Sequence, residues 1–283
     1  MMALLDQWFT AAKNATATWS FNRRNRQAWQ RGPYNEPRQD KAGFFADHPD
    51  LGAQEALLRG AYPRLEMCQT HSTLSRYREN LNLLAALDAL GIDKLPHAPS
   101  QPCRVLEVGI KNWSTLDALA AWLAEKTNDS FAITGVELDP WRRYQDGHSR
   151  WDYATTFAHR VPEAHAPIAG DILDHTGMYD TVVCVLPFVF AEPHLSWGLP
   201  LKHFNPPRFF AALHRLVAPG GTLILFNQGD AEFEAQRQLL APYGYTQRFS
   251  GSVPQPFYPY AHPRYGWWLS KPNQSCPKTA GLA

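Results

Sequence analysis

Residues 104–114 read RVLEVGIKNWS. Residues 104–108 form a short apolar strand carrying one acid, Glu107, and Gly109 stands where a tight turn would follow. A turn that lays bare backbone against a cofactor would supply further glycines, because glycine permits positive φ and carries no Cβ. Here the chain has Lys111, Asn112 and Trp113 instead. The stretch therefore decides whether an α/β sheet begins here and whether its first turn still holds a ligand.

Downstream, strands and helices alternate. STLDALAAWLAEKTN (114–128) has good helix formers, with Ser114 as its expected cap. FAITGVELD (131–139) is the second strand, an aromatic-rich helix is expected over 142–160, and APIAGDILD (166–174) is the third strand. YDTVVCVLPFVF (179–190) is an almost unbroken apolar run, as in a central strand buried on both faces. A helix over 205–216, a fifth strand from Thr222, a helix over 234–245 and two closing strands (246–253 and 264–272) complete the pattern. Such alternation predicts a doubly wound, mostly parallel sheet.

Upstream, the first hundred residues read as a helical extension. Leu4, Leu5, Trp8, Phe9 and Ala12 recur at helical spacing, and a second helix is expected from about Leu74 to Leu90, stopped by Gly91. Between them, Arg23, Arg24, Arg26, Arg31, Arg38 and Lys41 face only Glu36 and Asp40, while Pro33 and Pro37 interrupt any helix. That arm is either a solvated face or a basic lip for an anionic substrate. The expected organisation is an extension or cap over 1–100, an α/β domain over 101–273 and a flexible tail over 274–283.

Composition narrows the function classes. The 283 residues are 45% hydrophobic and 13% aromatic, with ten Trp, which suits a pocket for flat or apolar ligands. A net charge of +1 argues against nucleic-acid binding by the chain as a whole. Cys68, Cys103, Cys184 and Cys276 show no zinc spacing and read as reduced thiols; no metal site is expected. Neither a signal peptide nor a membrane span is evident, so a cytoplasmic protein is expected.

In a doubly wound sheet ligands bind beyond the carboxyl ends of the strands. The residues there are Glu107 and Gly109 after the first strand, Glu137 and Asp139 after the second, and Asp171 after the third. An acid ending the second strand can accept both ribose hydroxyls of a nucleoside, and one after the third can accept from an adenine amino group. Glu107, beneath the turn, can orient backbone amides or receive an ammonium.

Over residues 100–271 the chain resembles the class I S-adenosylmethionine-dependent methyltransferases. The resemblance rests on VLEVG, ITGVELDP, AGDILD, YDTVVCVLP and LHRLVAPGGTLILF, and on a closing strand pair that fits the reversed last strand of that family. It implies a seven-stranded Rossmann-like sheet with the last strand antiparallel, and S-adenosyl-L-methionine as cofactor. It further implies a cofactor site of Glu107, Gly109, Lys111, Glu137, Leu138, Asp171, Ile172 and Leu186. The departure is the first motif, where Lys111 and Trp113 replace the second and third glycines. Lys111 could reach the cofactor's carboxylate, and Trp113 could pack under the helix start.

The long segment after the fourth strand, FVFAEPHLSWGLPLKHF (188–204), offers His194 and His203 as proton acceptors and Glu192 and Trp197 as substrate contacts. Tyr258 and Tyr260, in the proline-stiffened insert before the last strand, would add a wall. Leu186, Pro187 and Phe188 stand where an Asn-Pro-Pro-Tyr type motif would mark a DNA-adenine or glutamine N-methyltransferase. The expected activity is O- or N-methylation of a small or medium-sized acceptor. The alternative is a binding or scaffold protein whose fold has lost the cofactor.

Overall fold

The computed structural model describes residues 2–258 and 260–273, with side chains from residue 7 onward. Cys276 and the tail expected to be flexible lie outside these residues. Four helices come first: α1 (Met2–Gln27), α2 (Pro49–Ala61), α3 (Leu65–His71) and α4 (Leu74–Asp88). The sheet strands are β1 (Cys103–Val108), β2 (Phe131–Glu137), β3 (Ile168–Ala169), β4 (Tyr179–Val185), β5 (Val217–Gln228), β6 (Thr246–Val253) and β7 (Arg264–Ser270). Between them lie α5 (Leu116–Thr127), α6 (Arg150–Ala158), α7 (Ala191–Ser196), α8 (Pro206–Leu216) and α9 (Gly229–Leu240).

The strand order is β3-β2-β1-β4-β5-β7-β6. β1 to β5 are parallel, and β7 runs antiparallel to both its neighbours. Order reverses between β1 and β4, which opens the ligand crevice above their carboxyl ends. The apolar run of β4 is buried as its composition demands, with Val182, Val183 and Cys184 each 2% exposed or less. β3 shrinks to two residues, and the helix expected over 142–160 forms only from Arg150, where Ser149 and Asp152 make a reciprocal capping box.

The extension does not stand apart from the sheet. Leu81, Leu84 and Leu87 of α4 share one apolar core with Leu116, Leu119 and Trp122 of α5. Each such leucine buried from water contributes about 1.5–3 kcal/mol. Capping follows the same logic. Ser114 does not cap α5; its hydroxyl donates to Glu79, and Asn80 of α4 accepts the Ala118 amide instead. α5 is therefore started by its neighbour.

One further expectation is corrected. The stripe expected to bury α1 does not: Trp8 and Phe9 are 75% and 67% exposed, and Ala17 and Phe21 are buried. The side chains of Leu4 and Leu5 lie outside the described set. The basic arm is docked in part: Arg24 and Lys41 are held by the rest of the molecule, whereas Arg23, Arg26, Arg31 and Arg38 are exposed. Arg24 binds Asp139 through two nitrogens at 2.9 Å each, and Arg31 and Gly32 donate their amides to Asp152. Buried Glu36, the arm's own acid, sits between Arg76 and Arg160.

Candidate active site

The turn after β1 keeps a glycine-type backbone without the glycines. Gly109 has φ +74°, Lys111 +55° and Trp113 +56°. Left-handed backbone costs an ordinary L-residue roughly 1–2 kcal/mol. The structure maintains it twice, because each residue is held by a specific partner. The Lys111 amide donates to Glu137 Oε2 at 2.7 Å, and the Trp113 indole Nε1–H donates to Glu107 Oε2 at 2.7 Å. A third bulky residue with positive φ, Leu186 at +59°, follows β4 at the same rim. Three of the non-glycine residues with positive φ thus share one rim, and Ala28, Asn128 and Asp129 adopt it elsewhere.

Trp113 is fully buried beneath this turn, and its ring occupies the space above Gly135 of β2. A Cβ on Gly135 would lie 2.7 Å from the ring, so the glycine removed from the turn reappears in the strand below it. Glu107, sealed against the indole, is pushed up to about 7 by burial, which the indole hydrogen bond only partly offsets. Gly109 has open space where a side chain would stand.

Above the turn lies a cavity of about 560 Å³, within the roughly 300–1,000 Å³ of small-molecule sites. It collects every expected cofactor residue: Glu107, Gly109, Lys111, Glu137, Leu138, Asp171, Ile172 and Leu186. His194, His203, Trp197, Tyr258 and Tyr260 also line it. Glu192 does not. It sits on the outer side of α7, accepting from Ser196 and facing Lys13 at 3.9 Å.

The acids of the site are already engaged. Glu137 accepts the amides of Lys111 and Asp139 and pairs with Arg150 at 3.2 Å. Burial raises its pKa, and Arg150 and the two amides oppose that rise. Asp139, with no side-chain exposure, is bound by Arg24 and Arg142 and lies 3.9 Å from Arg150. Asp171 accepts the Leu173 amide on one oxygen and faces His203 Nδ1 at 3.2 Å on the other. His203 Nε2 is buried and has no partner among the described residues.

His194 is also buried, 3.0 Å from the Pro200 carbonyl through Nε2, and burial lowers its pKa. That geometry suits a neutral ring donating its Nε2–H to the carbonyl. The Trp197 ring is flanked by two cations, Lys111 Nζ at 5.9 Å and Arg150 Cζ at 5.4 Å from its centroid. Among the described residues no group of three His, Cys, Asp or Glu could hold a metal, and no helix is long and apolar enough to cross a membrane.

Sequence reasoning missed Arg24, Arg150, Glu79 and Arg264, which carry no local motif. A signal for the Trp113 packing was present, since glycine inside a strand marks close approach of another group.

The strand order, with β7 antiparallel, is that of the class I methyltransferase fold. No family model and no curated protein matches the chain. Among solved structures, a Listeria monocytogenes protein assigned as a class I S-adenosylmethionine-dependent methyltransferase superposes with TM-score 0.50 at 15% identity. That match covers 73% of this chain and 62% of that one. A SAM-dependent methyltransferase from Aquifex aeolicus (TM-score 0.45, 13% identity, 69% and 96% covered) is also similar. So is the N-methyltransferase NodS from Bradyrhizobium japonicum (TM-score 0.45, 15% identity, 71% and 98% covered).

Proposed function

We propose that this chain transfers a methyl group from S-adenosyl-L-methionine to oxygen or nitrogen of a small or medium-sized acceptor. The observation that carries this reading is the turn after β1. It keeps positive φ at Gly109, Lys111 and Trp113 although two of the three are not glycine, under a cavity rimmed by Glu137 and Asp171. Backbone strain held in place by its surroundings clusters at ligand clamps and active sites, which supports this reading.

The residues fit the cofactor's chemistry. Gly109 leaves room for close backbone approach, Glu137 suits ribose hydroxyls, Asp171 an adenine amino group, and Leu138, Ile172 and Leu186 an apolar wall. When bound, the cofactor supplies an electrophilic methyl group on a positively charged sulfur. The chain's own part is to place the acceptor. Phe188, Trp197, Tyr258 and Tyr260 line the cavity with aromatic faces against which an acceptor can pack. With His194 committed to Pro200 and His203 Nε2 sealed from solvent, rate enhancement rests chiefly on proximity and orientation.

A second reading, a scaffold without cofactor, is favoured by one observation: Glu137 and Asp171 already have internal partners. Calorimetry with S-adenosylhomocysteine and S-adenosylmethionine decides between the two. Binding in the micromolar range supports methyl transfer, and no heat at millimolar ligand sinks it in favour of the scaffold.

A further inference from the structure

Three arginines are almost wholly buried: Arg76, Arg150 and Arg264, at 6%, 4% and 8% exposure. Two are neutralised by paired carboxylates. Arg76 binds Glu36 and Asp117, and Arg150 pairs with Glu137 and, more distantly, Asp139. Arg264 forms no ion pair with any described carboxylate. Its Nε donates to Gln255 Oε1 at 3.3 Å, its Nη1 to Gln228 Oε1 at 3.0 Å, and its Cζ lies 4.1 Å from the Tyr260 ring centroid. All three partners are neutral.

A guanidinium taken out of water without a counter-charge is costly, and an aromatic face offsets only part of that cost. Burial accordingly lowers the Arg264 pKa, against the raising influence of Tyr260 and, without contact, of the Glu232 carboxylate. The side chain is nonetheless fixed. Two glutamine carbonyls and one ring set its plane, and Nη2 makes no hydrogen bond to a described residue. A guanidinium with its plane set and an edge unspent is suited to a carboxylate or phosphate. The cavity's acids on this side make no ion pair with Arg264: Glu232 accepts the Gln228 amide and acts on the guanidinium only at a distance, and Glu79 accepts the Ser114 hydroxyl.

Position assigns the ligand. Arg264 opens β7, in register with Gln228 at the end of β5 and Val253 at the end of β6. It therefore lines the cavity beyond β5, on the other side of β1 and β4 from Glu137 and Asp171. Resting on the methyl-transfer reading above, we infer that Arg264 receives an oxyanion of the methyl acceptor, so that the acceptor is a small molecule bearing a carboxylate or phosphate.

The test uses benzoate, phenyl phosphate and neutral benzamide as probes in ligand-observed NMR on the full chain. Benzoate or phenyl phosphate should bind about tenfold or more tightly than benzamide, one charge-assisted hydrogen bond being worth about that factor. Which of the two anions is preferred separates carboxylate from phosphate acceptors. Arg264→Gln should abolish the preference. A readout in the parent guards against a variant that fails to fold: phenylglyoxal modification of Arg264, followed by peptide mass spectrometry, should slow with benzoate and not with benzamide. Equal binding of anions and amide, or unprotected modification, overturns the inference. So does an Arg264→Gln chain that loses S-adenosylhomocysteine as strongly as it loses benzoate, since the guanidinium would then hold the cofactor. If the parent prefers the anions but binds no S-adenosylhomocysteine, the oxyanion site stands and the methyl-transfer reading falls.

Discussion

The indole Nε1–H of Trp113 donates to the Glu107 carboxylate at 2.7 Å, both side chains being buried beneath the turn they shape. Trp113→Phe keeps the ring and removes the donor. It should cost about 1–3 kcal/mol, the penalty of leaving a buried acceptor unpaired. Trp113→Gly, which restores the family residue, should cost more, since emptying a buried Trp site costs about 3–5 kcal/mol. Urea denaturation measures both. A glycine variant as stable as the parent would mean that the indole is not what holds the turn.

Lys111 behaves oppositely, because its positive φ is strain that its side chain does not need. Lys111→Gly should relieve roughly 1–2 kcal/mol of strain, offset by about 0.4–1 kcal/mol of extra freedom in the unfolded chain. The net is a small gain or no change in the melting temperature. A clear loss would place the side chain, through Trp197, among the supports of the fold.

Glu107 gives the fold a definite pH signature. Its native pKa, about 7, lies above the ordinary value of 4.5, so the native state holds a proton that the unfolded chain releases. That stabilisation is complete below about pH 4.5 and is lost as pH rises to about 7. The measurement is the difference in denaturation midpoint between parent and Glu107→Gln across pH 5 to 8. Stability of the parent relative to the variant should fall through that range; a flat or rising difference would contradict the assignment.

Arg24 links α1 to the acid pair at the end of β2. Asp139 takes the arginine fork, and its amide in turn donates to Glu137 Oε1 at 2.9 Å. Arg24→Ala should free α1 while Arg142 and Arg150 keep Asp139 compensated. Hydrogen exchange in residues 14–27 should then quicken with β1 and β4 unchanged. Exchange as slow as in the parent would show that α1 is held by its other contacts alone.

His203 and Asp171 compete for one role. If Asp171 receives adenine, His203→Ala releases that carboxylate and should hold or tighten S-adenosylhomocysteine binding. Because rate enhancement rests on proximity rather than on this ring, kcat should change little. Weaker cofactor binding in this variant would instead mean that His203 positions Asp171.

Much of the fold was legible because its signals are local. The apolar run of β4, the glycine after β1 and the acid ending β2 each follow from short-range chemistry, and they occupy the rim of one cavity. What was illegible depended on distant partners. Nothing near Ser114 says that Asn80 will cap α5 in its place. Nothing near Arg24 says that its carboxylate lies 115 residues away. Glu192 has the same local setting as Trp197, and only the helical turn between them sends one outward and the other over the cavity.

The docking of α1 also orders events in time. Its anchors are Asp139 for Arg24 and the Leu201 amide for Asn14, the second separated from its partner by 187 residues. Contacts closing loops of that length form late, after local helices and neighbouring strands. The Arg24 anchor closes a shorter loop than the Asn14 anchor, so the two ends of α1 depend on parts of the chain far apart from each other. The rim of the cavity is therefore closed by contacts of very different sequence separation, and an element far from the strap after β4 in sequence is fastened to it in space.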